Sequence, residues 1–213
     1  MLYPGTFEDD DLNRSCNDFM DSIADRMDVY VTNLKKDLDG YRERSQGHEL
    51  KRVFVLPRSG SMLLTVEEMD IIKKINMFGS IPNSNFEAIV KTAFKRESER
   101  LFGATCFDAC INYDANDASN VTLMGHCNAR KTIVCLHGAM NEEFKNRHPL
   151  FLNNVAWLNL YDEIISFPIE ATIENQRYLS SEWSIPSEKF FSCGERSDPA
   201  LSAEQELAGI LNN

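Results

Sequence analysis

Between residues 12 and 41 the apolar side chains Leu12, Cys16, Phe19, Ile23, Met27, Tyr30, Leu34, Leu38 and Tyr41 fall at spacings of 4, 3, 4, 4, 3, 4, 4 and 3. Their mean spacing matches the helical period of about 3.6 and lays one stripe down one side. This predicts a long amphipathic helix over residues 9–44, roughly 45 Å from end to end at about 1.5 Å per residue. Asp9, Asp10 and Asp11 stand at its start and Arg42 and Arg44 at its end, the charge order that complements a helix dipole. Such a helix either packs along its own domain or mediates association with a partner. Cys16, Phe19, Tyr30 and Tyr41 suit the first role better, because a regular two-stranded seam favours Leu, Ile and Val.

The remaining sequence is ordinary globular material. A chain of 213 residues, 43% hydrophobic and 26% charged, is sized for one core, so residues 1–213 are expected to form a single globular domain. Its longest apolar runs, RVFVLP at 52–57 and KTIVCLH at 131–137, fall far short of the about 20 residues a membrane helix needs, so no membrane insertion is expected. The acidic opening MLYPGTFEDDDL lacks the basic and apolar regions of a secretory signal. An intracellular, cytoplasmic location follows as the expectation, with the six cysteines reduced or metal-bound. A net charge of -11 disfavours nucleic acid as a partner, since phosphate attraction dominates that affinity.

Local signals then divide the chain. RVFVLP reads as a strand. Thr65-Val-Glu-Glu68 and Ser84-Asn-Phe-Glu87 are capping-box patterns, predicting helices from Val66 to about Phe78 and from Ser84 to Phe102, the second stopped by Gly103. Lys91, Lys95, Arg96 and Arg100 on the second helix give the pair a helix-turn-helix flavour, although the GSIPNS connection is longer than that motif uses. From residue 104 to 137 the period shortens: Phe107, Ala109, Ile111 and Tyr113 alternate, and 121–124 and 131–137 are further short runs. These predict an antiparallel meander of about three to four strands, joined at its edge by the 52–57 strand. Helices are expected again over 141–147, 150–165, 169–179 and 199–211. The predicted fold class is therefore α+β, predominantly helical with a small antiparallel sheet.

Chemistry-bearing residues crowd the meander. Cys106, Cys110, His126, Cys127, Cys135, His137 and His148 are seven of the ten cysteines and histidines in the chain. A structural zinc ion draws four thiolate or imidazole ligands from neighbouring elements, and Cys106, Cys110, His126, Cys127, Cys135 and His137 are the candidate ligands. The pairs Cys-x3-Cys, His-Cys and Cys-x-His are not the usual Cys-x-x-Cys knuckles. On a strand Cys106 and Cys110 would stand about 13 Å apart, and buried cysteines on core strands are the plainer alternative.

A nucleophilic reading places Cys106 at a helix start, with His126 or His137 as base and Asp108, Asn112 or Asn128 orienting it. That Cys–His pairing resembles the catalytic surroundings of papain-like cysteine proteases, and the resemblance implies a cysteine-dependent hydrolase. The Cys106-to-His126 separation is shorter than that class would have. With no better catalytic constellation, the leading expectation is a non-enzymatic assembly protein that binds another protein or copies of itself, carrying a structural zinc if the cluster converges. A hydrolase and a nucleic-acid-binding module are the alternatives.

Overall fold

The computed structural model describes residues 20, 28–31, 53–55, 63–78, 81, 83–113, 115, 118–141, 152–167 and 169–191. The chain forms two compact units, one from residues 1–61 with 193–213 and the other from residues 62–192.

In the first unit, strand β1 (Val29–Val31) pairs in parallel with β2 (Val53–Val55), Val29 opposite Val53 and Val31 opposite Val55. This corrects the expectation of one long helix over 9–44. Met20 is helical, but Val29, Tyr30 and Val31 are extended. Two β-branched valines around a tyrosine favour a pleated backbone, and a parallel partner satisfies their amides. Within the 52–57 run the described residues Val53–Val55 are a strand as expected, but their partner is β1 and not the central sheet. The rest of the apolar stripe lies outside the described residues.

The second unit begins with α1 (Val66–Phe78) and α2 (Ser84–Phe102), which pack together as a hairpin. The first capping box forms as predicted: Thr65 N donates to Glu68 Oε2 at 2.7 Å and Glu68 N donates to Thr65 Oγ1 at 3.2 Å. At α2 the cap sits one residue earlier than expected. Asn83 is the extended N-cap, and its Oδ1 accepts from Phe86 N at 3.0 Å. Gly103 closes α2 at φ 67°, a conformation that costs glycine nothing.

The sheet that follows has the order β3 (Phe107–Asn112), β4 (Ala129–His137), β5 (Glu163–Phe167), and every pairing in it is parallel. The predicted antiparallel meander is therefore wrong. Residues 121–124, expected as a strand, belong to α3 (Ala118–Gly125), which carries the β3-to-β4 crossover. The expected helix over 150–165 is α4 (Leu152–Leu158) followed by β5. Parallel strands need crossovers of about a dozen residues or more, and both connections supply them. Burial gives the physical reason for the error: Ile133, Val134, Cys135 and Leu136 are all fully buried in succession. Helices on both faces of a parallel sheet produce such runs, whereas a meander with one wet face alternates. Of the other C-terminal expectations, the helix over 169–179 appears as a 3-10 turn (Ile169–Ala171) leading into α5 (Thr172–Trp183). Of the helix expected over 141–147, Asn141 is a bend and the rest lies outside the described residues, as does the helix expected over 199–211.

Helices α3 and α4 pack on each other, with α2 against α3 and α1 against α4, while α5 packs on β5. Asp162 fixes the start of β5: its Oδ2 accepts from Thr132 N at 2.8 Å and from Thr132 Oγ1 at 3.0 Å. At the carboxyl ends of the strands buried Asn175 of α5 ties three segments together. Its Oδ1 accepts from Met140 N at 2.5 Å, and its Nδ2 donates to Ser166 Oγ at 2.9 Å and Gly138 O at 3.1 Å. Among the described residues no helix is long and apolar enough to cross a membrane.

Candidate functional site: a thiol-lined cavity at the amino ends of the strands

A cavity of about 550 Å³ opens where α2 ends and where the turn after α3 enters β4. Lys91, Lys95, Ser98 and Glu99 of α2 form one wall, at the three- and four-residue steps that put them on one helix face. Gly125, His126, Cys127 and Asn128 form the other. Gly125 is required by space, because a Cβ there would lie 2.8 Å from Leu160 Cβ. Open parallel sheets usually receive ligands at the carboxyl ends of their strands, and this cavity is at the opposite end.

Two cysteines meet behind it. Cys110, in the buried half of β3, hydrogen-bonds Cys127 in the turn before β4. Cys110 holds its proton: the hydrogen bond to Cys127 and then burial push its thiol far above the ordinary range. Cys127 moves the other way. The Cys110 contact, the Ser98 side chain and the Asn128 backbone amide all favour its thiolate and together outweigh burial. Cys127 is thus a cavity-lining residue with hydrogen-bonding neighbours gathered on its sulfur.

His126 is the next residue. Its Nδ1 lies 2.8 Å from Thr122 O, a carbonyl that only accepts, so Nδ1 carries the proton and Nε2 the lone pair. The ring stacks on Phe94 at 5.8 Å between centroids. Burial and the nearby charge of Lys91 hold its pKa below the ordinary histidine value, against the hydrogen bond to Thr122.

The other sequence candidates lie elsewhere. Cys106 is exposed on the turn after α2, its Sγ 3.8 Å from Phe107 O. Cys135 is wholly buried in β4, and burial alone pushes its thiol up. His137 closes the far end of β4, its Nε2 donating to Tyr113 O at 2.7 Å and its ring stacked on Phe167 at 5.3 Å. At about 3.3 Å per residue, Cys135 stands about 20 Å and His137 about 26 Å along β4 from its start at Ala129. Among the described residues no group of three or more His, Cys, Asp and Glu side chains is placed to hold a metal ion. His148 lies outside them. The six candidates thus resolve into His126 and Cys127 on the cavity wall with Cys110 behind them, a surface thiol at Cys106, buried Cys135 and half-buried His137.

Sequence reasoning missed Ser98 as part of the site and read Lys91 and Lys95 only as a basic helix face. The basic row is half spent internally: Arg96 is forked onto Glu68, and Arg100 donates to Glu97 at 2.8 Å and 3.0 Å. The signal that could have found the wall is the common helical spacing of Lys91, Lys95, Ser98 and Glu99.

Compared with known proteins, the chain matches no family model and no curated relative.

Proposed function

We propose that this chain is an assembly protein that associates with a second copy of itself through the outer face of α1. The observation that supports this reading is the two-sidedness of that helix. Ile71 and Ile75 are buried on its inner face. Val66 and Met77 on the outer face are 71% and 72% exposed, Met69 between them is exposed, and Leu63 and Phe78 are exposed near the two ends of the helix. Single exposed apolar residues are normal, but a row of them at helical spacing is the pattern of a partner-binding helix.

The charges in the row favour an identical partner. Asp70 and Lys73 lie 3.9 Å apart at the centre of the face, both exposed. Two copies of α1 crossed antiparallel about a twofold axis between these residues bring Asp70 of each onto Lys73 of the other. The same operation lays Val66 against Met77, giving the self-complementary pattern of a twofold contact. No zinc enters this reading.

Light scattering of the full chain over a concentration series tests it. Mass should rise from one chain to two, and Val66→Glu with Met77→Glu should leave a monomer. Asp70→Lys alone should weaken the dimer, and adding Lys73→Asp should restore it. A monomer at every concentration would overturn the reading, as would a dimer indifferent to Val66→Glu and Met77→Glu.

A further inference from the structure

The cavity and the paired thiols are not used by an α1 contact, and they carry a chemistry of their own. We infer that Cys127 and Cys110 form a dithiol–disulfide couple, in which Cys127 attacks a small carboxylate-bearing disulfide held in the cavity and Cys110 resolves the mixed disulfide.

Four features support this. Cys127 lines a cavity of about 550 Å³, within the size range of sites that hold small molecules. Cys110 is in hydrogen-bond contact with it from the protein side and does not line the cavity, so the two thiols have separate access, one to ligand and one only to its neighbour. Ser98 and the Asn128 amide also bond the Cys127 sulfur, which favours the attacking thiolate. Lys91 and Lys95 stand in the same wall against the single carboxylate of Glu99, leaving a surplus of positive charge for an anionic ligand.

The exchange balances without any other reactant. The Cys127 thiolate attacks one sulfur of the disulfide RSSR; a protein–ligand S–S bond forms, the ligand S–S bond breaks, and RS⁻ leaves to take a proton. Cys110 then attacks the Cys127 sulfur, its proton passing to the departing ligand sulfur. The Cys110–Cys127 bond forms as the second RS⁻ departs and is protonated. Two protein thiols are oxidised by two electrons, and one disulfide is reduced to two thiols.

The experiment uses the full chain carrying Cys106→Ser, which removes the exposed thiol of this region, with oxidised glutathione as an anionic probe and cystamine as a cationic one. Peptide mapping should find a Cys110–Cys127 cross-link that dithiothreitol reverses. In Cys110→Ser a glutathionyl group should accumulate on Cys127, with circular dichroism reporting the fold. Lys91→Glu with Lys95→Glu should slow the reaction with oxidised glutathione about tenfold and leave cystamine no slower. The cross-link in the unsubstituted pair is scored independently of the Cys110 variant. Cys127 remaining a thiol under conditions that fully modify Cys106 in the native chain would overturn the couple. So would equal adduct on Cys127 with and without Cys110, while equal rates for the two probes in the unsubstituted wall would overturn the anionic ligand.

Discussion

Glu68 and Arg96 face each other across the α1–α2 hairpin in a two-pronged pair, Nη1 to Oε1 at 2.8 Å and Nη2 to Oε2 at 2.9 Å. The same arginine reaches Leu63 O at 2.9 Å, and Glu68 also closes the cap on Thr65. The fork is the geometry in which a guanidinium binds a carboxylate best. One side chain therefore both starts a helix and fastens it to the next.

The Arg96 hydrogen bond and the Thr65 amide outweigh burial and hold the Glu68 carboxyl down at about 2. A carboxyl depressed in the folded state adds stability above the unfolded value of about 4.3, and that stability is lost as pH falls through the folded value. Denaturant unfolding of the full chain should therefore weaken between about pH 4.3 and 2. Glu68→Gln should be less stable at neutral pH and show a shallower acid slope. An unchanged slope would mean that another carboxylate dominates that limb.

Asn175 is the joint at the other end of the sheet. Replacing it with alanine strands the Met140 amide, the Gly138 carbonyl and the Ser166 hydroxyl in a buried setting, at a cost of about 3 kcal/mol. Asn175→Asp keeps the acceptor for Met140 but loses the two donated bonds, so it should be no better than alanine at neutral pH. Equilibrium denaturation of the two variants checks both statements. A loss below about 0.5 kcal/mol in each would show that the three groups find other partners.

Gly125 and Leu160 form a tight contact in which an added methyl would fall 2.8 Å from Leu160 Cβ and 3.1 Å from Cδ1. Gly125→Ala should cost about 1–3 kcal/mol through overpacking. The obstructing Cβ persists in alanine, so Leu160→Ala should recover only the Cδ1 part, whereas Leu160→Gly should recover most of the loss. A double-mutant cycle reads this coupling directly. Additive costs would place the strain elsewhere.

His126 should titrate below the usual histidine range of about 6.5, because burial first, and Lys91 second, oppose its charged form. A base depressed by folding leaves the unfolded chain holding more protons, so stability should fall as pH drops from about 6.5 through the folded value. NMR titration of the ring measures the midpoint. Lys91→Glu should raise it by removing the neighbouring positive charge. A midpoint at or above 6.5 in the native chain would show a ring open to water.

The helix boundaries were legible in the residues because their determinants are local. Thr65 and Glu68 satisfy each other's backbone amides within one turn, and Gly103 takes a conformation other residues resist, so α1 and α2 begin and end within a residue of the sequence reading. The crowding of cysteine and histidine between residues 106 and 137 was also legible, though not which of these side chains meet. What tertiary structure alone decided was partnership. Val29–Val31 carries the helical spacing of its neighbours, yet pairs as a strand with Val53–Val55. A period describes only which side chains share a face, and a distant strand offering hydrogen bonds outweighs it. The β4 run is buried in unbroken succession between two parallel neighbours, β3 and β5, a fact about other segments of the chain. Crossover α3 returns the chain to the start of β4, so Cys127 meets Cys110 in β3, while Cys135 and His137, closer to Cys127 in sequence, are carried to the far end of the strand.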